Sequence, residues 1–382
     1  MKKFFIALLA LALVAGNLFA EFSVGAWGRA TFVPLRTYID GNDDNANKTG
    51  AATEVGWGDL PNFAVQFSLS GEKIGFISNF DFAVPGRDGN LYAWWKPNDI
   101  FKLDIGWVRW DVLRGPDIFE SFQNPKYTGS GIDLPDLVFN RFTTADWYIG
   151  GKPGAVLEIT PIANLYIGAA IATGPAGSDG PKSDPPGNYI AAEIEDVYKD
   201  SQYAVGYNID GIGLVRAGYF GKANNGVGDQ VIQGAFKLTA VDGLLIDLGV
   251  GYGLEENRDN QNTISVGLGV QFATDLFGVV AGVGAWLGGD GEKAGGEYPK
   301  LEISLNPYAP LSFATIGLGV AYGLELGKDD SSHIGFDVYI LKSVGGGEIK
   351  AGVAAQIYPG APDASKQNII IAVPIQLTYS VW

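Results

Sequence analysis

The sequence predicts an all-β fold, a transmembrane antiparallel β-barrel of about eighteen strands. Three observations predict it. The chain opens on a segment built like an export signal. Period-two alternation recurs in segments of about ten residues, and aromatic side chains gather at the ends of those segments.

Composition narrows the function classes. Of 382 residues, 55 are glycine, about twice the usual share, and only 18% are charged, below the roughly 25% of a soluble domain. The 47% of hydrophobic residues can bury a large core, so the chain is not disordered. The absence of cysteine excludes a disulfide scaffold, a thiolate metal site, a cysteine nucleophile and a lipid-modified N-terminal cysteine. His333 is the single histidine, so a multi-histidine metal site is excluded too, and no cofactor is expected.

The elements follow in order. Lys2 and Lys3 precede an apolar run from Phe4 to Val14, and Ala15, Gly16 and Ala20 supply small residues for cleavage. Residues 1–20 therefore read as a signal peptide, the run being too short to cross a bilayer; cleavage after Gly16 is the alternative. The mature chain, 21–382, keeps 24 basic and 42 acidic residues, a net charge of −18. That balance speaks against nucleic acid as a partner and favours cations at any opening.

Alternation then marks the strands. Ile264, Val266, Leu268 and Val270 alternate with Ser265, Gly267, Gly269 and Gln271, and Ala314 to Tyr322 alternates with Thr315, Gly317 and Gly319. Successive side chains of a strand point to opposite faces, so each segment has one apolar and one small or polar face. Strands are expected near 22–32, 63–70, 73–83, 90–96, 101–110, 153–159, 164–172, 200–208, 212–221, 231–238, 244–253, 262–272, 276–287, 298–305, 312–324, 333–340, 347–357 and 369–381, with sixteen the alternative count if 63–83 is not a strand pair. Phe22, Phe32, Trp94, Trp95, Trp107, Trp110, Tyr252, Trp286, Tyr298, Tyr322, Tyr358, Tyr379 and Trp382 sit near strand ends, where a membrane barrel carries aromatic girdles. Expected turns at 70–72, 96–99, 160–163, 209–211, 241–243, 274–275, 307–310 and 343–346 are short. The alternate connections are mostly longer, notably 33–62, 111–152 and 173–199. An even strand number puts both termini on the short-turn, periplasmic side.

The last segment, Ile369 to Trp382, alternates Ile375, Leu377, Tyr379 and Val381 with Gln376, Thr378 and Ser380, and closes on an aromatic residue. It resembles the C-terminal signal strand of bacterial outer-membrane barrels, though its apolar residues lie on the parity opposite the terminal aromatic. With the leader, girdles and alternation, the whole mature chain resembles the porin-type outer-membrane proteins. The resemblance implies a bacterial outer-membrane location, lipid contact around the barrel, and assembly by the barrel assembly machinery through that strand. It also implies small solutes as cargo and a homo-oligomer as one option.

Two residue sets are candidates for function. By parity Arg29, Lys102, Asp104, Arg216, Lys237, Asp247, Lys300, Glu302, Asp337, Glu348 and Lys350 face the lumen. Lys or Arg facing lipid near the midplane costs about 2–4 kcal/mol, which supports that placement. These charges set ion selectivity or simply neutralise one another across strands. The second set is the long 111–152 connection, with Arg114, Asp117, Phe119, Glu120, Phe122, Asp133, Asp136 and Arg141. So long a connection is usually functional. The resemblance implies a loop folded into the lumen as a constriction, and the glycine pairs Gly249/Gly251, Gly267/Gly269, Gly282/Gly284 and Gly317/Gly319 offer a smooth wall to receive it. A cap outside the mouth, or a partner surface, is the alternative.

The acidic clusters at Asp40, Asp43 and Asp44, at Glu193, Glu195 and Asp196, at Glu255, Glu256 and Asp259, and at Asp329 and Asp330 read as solvated loops rather than cation sites. Ser331, Ser332 and His333 are adjacent in sequence and poorly placed to act as nucleophile and base. The leading function is a passive diffusion channel for small hydrophilic solutes with cation bias, and not an enzyme. A substrate-specific transporter, with hydrophobic compounds as one option, and a surface adhesin or structural protein are the rivals. A soluble secreted β-protein is the alternative fold.

Overall fold

The computed structural model describes residues 21–41, 49–55, 63–81, 91–107, 153–172, 201–220, 231–254, 264–287, 299–326, 332–357 and 367–381. These form β1 (Glu21–Gly41), β2 (Thr49–Val55), β3 (Phe63–Ser70), β4 (Ile74–Asp81), β5 (Leu91–Trp95), β6 (Phe101–Trp107) and β7 (Pro153–Ile159). They continue with β8 (Leu165–Ala172), β9 (Gln202–Ile209), β10 (Gly213–Phe220), β11 (Val231–Val241), β12 (Leu244–Gly253), β13 (Ile264–Ala273) and β14 (Gly278–Leu287). β15 (Lys300–Pro310), β16 (Thr315–Glu325), β17 (His333–Val344), β18 (Gly347–Ile357), β19 (Gln367–Ala372) and β20 (Ile375–Val381) complete the set. All belong to one 20-stranded antiparallel sheet, and no helix occurs among the described residues.

The sheet closes on itself. From β3 to β18 each strand pairs with the next, and β1 completes the ring, pairing with β3 and β2 along one edge and with β20 and β19 along the other. The strand count is therefore twenty, not the expected eighteen. The two extra segments lengthen existing lanes rather than adding lanes. β2 continues β3 along the same edge of β1 and falls inside the stretch 33–62 that the alternation left as a connection. β19 and β20 together occupy the expected 369–381 strand. Both pair with β18 in one continuous register, Ala354 opposite Ala372 and Ala351 opposite Ile375.

Proline explains the split. Pro374 has no N–H to give the ladder, and the facing strand carries Pro34 within a register shift between Val33 and Arg36. Proline in a sheet is confined to bulges and edges. The chain keeps its bonds across the fault, with Val373 N donating to Leu35 O at 2.9 Å and Gly352 N to Pro374 O at 3.1 Å. A third proline, Pro307, lies in β15, which runs on to Pro310 where a turn was expected. The flanking register places Leu318 opposite Pro307, and the Leu318 carbonyl accepts instead from the Asn306 side-chain nitrogen at 2.8 Å.

Short turns close the end of the barrel that holds Glu21 and Val381. The β17–β18 turn is the pair Gly345-Gly346, with φ of 53° and 91°. Positive φ at both central residues matches the strand twist in a two-residue hairpin, and glycine takes it without strain.

The two faces of the sheet are inverted relative to a soluble protein. Large apolar side chains stand exposed on the outer face, among them Ile105, Val205, Leu248, Ile303, Val338 and Leu377. Phe22, Trp95 and Tyr379 are exposed near strand ends on the same face, whereas Phe32, expected at a strand end, is exposed in the middle of β1 because that strand runs on to Gly41. Polar and charged residues, including Thr31, Gln202, Asn306, Asp337 and Gln376, are buried on the inner face. Where the ring closes, Val33, Tyr339, Ala354, Ile370 and Ala372 form a small apolar cluster.

Glycines on the wall serve as seats for rings. A Cβ at Gly317 would fall 2.2 Å from the Tyr339 ring of its cross-strand partner, and one at Gly278 would fall 2.1 Å from the ring of Tyr308. Gly75 lies under Trp94 in the same way. The aromatic ring lies flat over the strand beside it and supplies the packing that glycine lacks. Gly317→Ala should destabilise the barrel by about 1–3 kcal/mol in urea unfolding from lipid or detergent. The same substitution in a Tyr339→Ala background should cost much less, because the clash partner is gone.

Candidate channel lumen

The inner wall gathers its charged residues into groups. On β6–β8, Lys102 Nζ reaches Asp104 Oδ2 at 2.9 Å and Glu158 Oε2 at 3.5 Å. Tyr166 donates its hydroxyl to Glu158 Oε1 at 2.7 Å. The strand pairing builds this directly, since Lys102 stands opposite Glu158 in the ladder and Asp104 lies two residues along on the same face. Asp104 and Glu158 are buried, and Lys102 is half-buried.

A second group spans β10–β12. Arg216 Nη2 donates to both carboxylate oxygens of Asp247, at 2.8 and 3.0 Å. The contact skips a strand. Arg216 is on β10 and Asp247 on β12, and β11 between them presents Ala235 opposite Arg216 and Lys237 opposite Asp247. A small residue at 235 leaves room for the long guanidinium side chain. Both partners have almost no solvent exposure, 0% and 3% at the side chain.

The third group lies on β15–β18. The Tyr339 hydroxyl and the Asn306 side-chain amide meet at 3.2–3.3 Å. Lys350 Nζ stands 5.5 Å from the centre of the Tyr339 ring, within range of a cation–π contact. Asp337 and Lys350 are buried beside them. At the closing seam the Gln376 side-chain amide donates to Thr31 Oγ1 at 3.2 Å.

Of the lumen candidates, Asp104, Arg216, Asp247, Asp337 and Lys350 are buried on the inner face, and Lys102 and Lys237 are half-buried there. Glu348 is exposed beside the Gly345-Gly346 turn, near the rim rather than deep in the wall. The side chains of Arg29, Lys300 and Glu302 lie outside the described residues. So do residues 1–20 and the whole 111–152 connection with Arg114, Asp117, Phe119, Glu120, Phe122, Asp133, Asp136 and Arg141. Parity had not singled out Glu158, Tyr166, Asn306, Tyr339 or Gln376. Glu158 was legible, since its neighbours Leu157 and Ile159 point outward. The others are uncharged residues, and only the ladder shows which of them meet. Among the described residues no group of three or more histidine, cysteine, aspartate or glutamate side chains is placed to hold a metal ion.

The buried Arg216–Asp247 pair carries a testable energetic consequence. Removing one partner of a buried charge pair costs about 3–5 kcal/mol when the other charge is left uncompensated. Asp247→Leu, which takes the carboxylate from both Arg216 and the facing Lys237, should lower urea stability more than Arg216→Met, which leaves Lys237 opposite Asp247.

No protein-family model matches the sequence, and no characterised relative matches it. Solved structures do, in 184 chains. A BenF-like porin from Pseudomonas fluorescens Pf-5 superposes with a TM-score of 0.54 at 10% identity, covering 94% of this chain and 98% of that one. OccK3 (OpdO) of Pseudomonas aeruginosa gives 0.51 at 13% identity over 94% and 96%. OccK2 (OpdF) of the same organism, solved in complex with glucuronate, gives 0.50 at 12% identity over 95% and 99%. At such identities the likeness is one of fold, and it runs nearly end to end in both partners. The chain folds as a porin-type β-barrel.

Proposed function

We propose that this protein is a channel of a bacterial outer membrane that passes small hydrophilic solutes by passive diffusion, with a bias toward cations. The observation that carries the reading is the inversion of the two faces. A closed sheet with exposed aliphatic side chains outside and charged residues inside is stable with lipid around it and polar cargo within. The described sheet is also wide enough to enclose an aqueous path. In this reading residues 1–20 direct export, 111–152 forms the constriction, and the mature chain's charge of −18 draws cations to the mouth.

One observation favours a second reading, a substrate-specific channel. Arg216, Asp247, Asp337, Lys350 and Gln376 are almost wholly shielded from solvent, although they sit on the inner face of a wide ring. An open lumen would wet them. A narrowed lumen suits saturable passage of a chosen solute, and the glucuronate complex of OccK2 (OpdF) is a structural neighbour's example of a bound small solute.

Planar-bilayer conductance of refolded 21–382, with the reversal potential read across a salt gradient, tests the leading reading. Steady current steps with a cation-biased reversal potential are expected. Asp104→Asn and Glu158→Gln should shift that potential toward anions, because Lys102 then stands without its acidic partners. Current that saturates with one solute class would favour the substrate-specific reading. A folded barrel that carries no current would overturn both.

A further inference from the structure

We propose that the short-turn rim of the barrel is seated in the membrane interface, its turn side chains contacting lipid acyl chains and headgroups rather than periplasmic water. The inference rests on the membrane-spanning reading above.

The first observation is where the exposed apolar residues fall. The most exposed ones lie in the short turns or directly beside them: Leu276 at 81%, Phe313 at 61% and Ile162 at 60% in turns, and Ile74, the first residue of β4, at 63%. Ile100 and Ile212 repeat the pattern at two further turns. A lone exposed aliphatic residue carries no information. Here one recurs at turn after turn around a single rim, which makes a ring rather than a scatter.

The second observation is how the turns satisfy their own backbone. The Asn98 side-chain oxygen accepts from Ile100 N at 3.0 Å and Phe101 N at 2.9 Å. Thr274 Oγ1 accepts from Phe277 N at 3.1 Å and donates to the Phe277 carbonyl at 2.9 Å, while Thr274 N donates to the same carbonyl at 2.8 Å. Leu311 N donates to Ala314 O at 2.8 Å and Gly71 N to Ile74 O at 2.8 Å. Backbone groups bonded inside the turn lose little when water is withdrawn.

The third observation is continuity with the outer face. Phe277 packs on Phe272 at 5.9 Å between ring centres, and Phe101 packs on Trp95 at 5.7 Å. The first contact carries the apolar surface of β13 onto its turn, and the second joins the ends of β5 and β6 that flank another turn. Lipid is the occupant that this continuity selects, because it already covers the surface that the turn residues extend. The charged neighbours set the depth. Glu72, Lys73, Asp99, Asp242 and Asp275 share the turns with the aliphatic residues, and Lys96 pairs with Asp99 at 3.3 Å in the open. Mixed charge beside single apolar side chains suits the boundary between headgroups and acyl chains, about 5–10 Å of immersion, and not the midplane.

The chain has no cysteine, so single-site labelling is clean. Leu276→Cys, Ile162→Cys and, as a reference in the middle of the outer face, Val338→Cys would each carry a polarity-sensitive nitrobenzoxadiazole label. Each is refolded as the full mature chain in phosphatidylcholine vesicles and quenched with aqueous iodide. All three are expected to emit at blue-shifted wavelengths and to quench several-fold less than the same proteins unfolded in urea. A protected label at 338 with labels at 276 and 162 quenched as in urea would overturn the rim assignment and leave the barrel reading standing. A label at 338 that is itself fully quenched would sink the membrane-spanning reading. Protection at 276 and 162 that appears only as the protein-to-lipid ratio rises would put a second copy there in place of lipid.

Discussion

An unpaired backbone N–H or C=O in hydrocarbon costs several kcal/mol, so a membrane sheet has to close, and the closure here falls on β1. That strand runs 21 residues and pairs with four segments, more than any other strand. It holds the seam at Pro34 and Pro374, where two residues without N–H groups lie across from each other near a register fault. The fault is bridged by backbone bonds from Val373 and Gly352, and backed on the inside by Val33, Tyr339, Ala354 and Ala372. Placing the prolines together confines the missing donors to one spot. The rest of the ladder then runs with few interruptions, and Pro307 is covered by the side chain next to it.

Closure also dictates what the side chains do. With the backbone satisfied in the plane of the sheet, each residue has only two places to go, and the environments differ sharply. Outside, aliphatic residues meet lipid at no cost. Inside, charged residues have to find each other, because a shielded charge without a partner is expensive. The wall solves this by local geometry in one place and by reach in another. Lys102 and Glu158 are opposite each other in the ladder, whereas Arg216 crosses β11 to meet Asp247. Small residues make the second solution possible. Ala235 clears the path for a guanidinium just as Gly317 and Gly278 clear a bed for tyrosine rings.

What the sequence made legible follows from which of these rules is local. Alternation is local, so the lanes from β9 to β18 stand within a few residues of their expected positions. β2 was not legible. Its sequence, Thr-Gly-Ala-Ala-Thr-Glu-Val, has no apolar alternation, and its place is set by the edge of β1 that receives it. The expected first strand stopped at 32, and the bulge that carries β1 past Pro34 depends on the partner strands. Pairings across a strand, such as Arg216 with Asp247, depend on register and on the size of the residue between. Alternation fixes neither.

The charge distribution separates two quantities that composition merges. The chain carries a net −16, but the described inner wall is close to balanced: Lys102 with Asp104 and Glu158, Arg216 and Lys237 with Asp247, and Lys350 beside Asp337. The acidic excess is concentrated in sequence instead, at Asp40, Asp43 and Asp44, Glu193–Asp196, Glu255–Asp259 and Asp329–Asp330, which apart from Asp40 near the end of β1 fall between the described strands. A field from such segments acts through water and is screened within about 8–10 Å at physiological salt, whereas a wall charge shielded from solvent is screened far less. The two sources therefore separate by ionic strength. A cation preference set by the connections fades as salt rises, and one set by the asymmetric Lys102–Asp104–Glu158 group persists. The proposed bias has its physical origin in one or the other, and the balanced wall makes the salt dependence of the reversal potential the quantity that tells them apart.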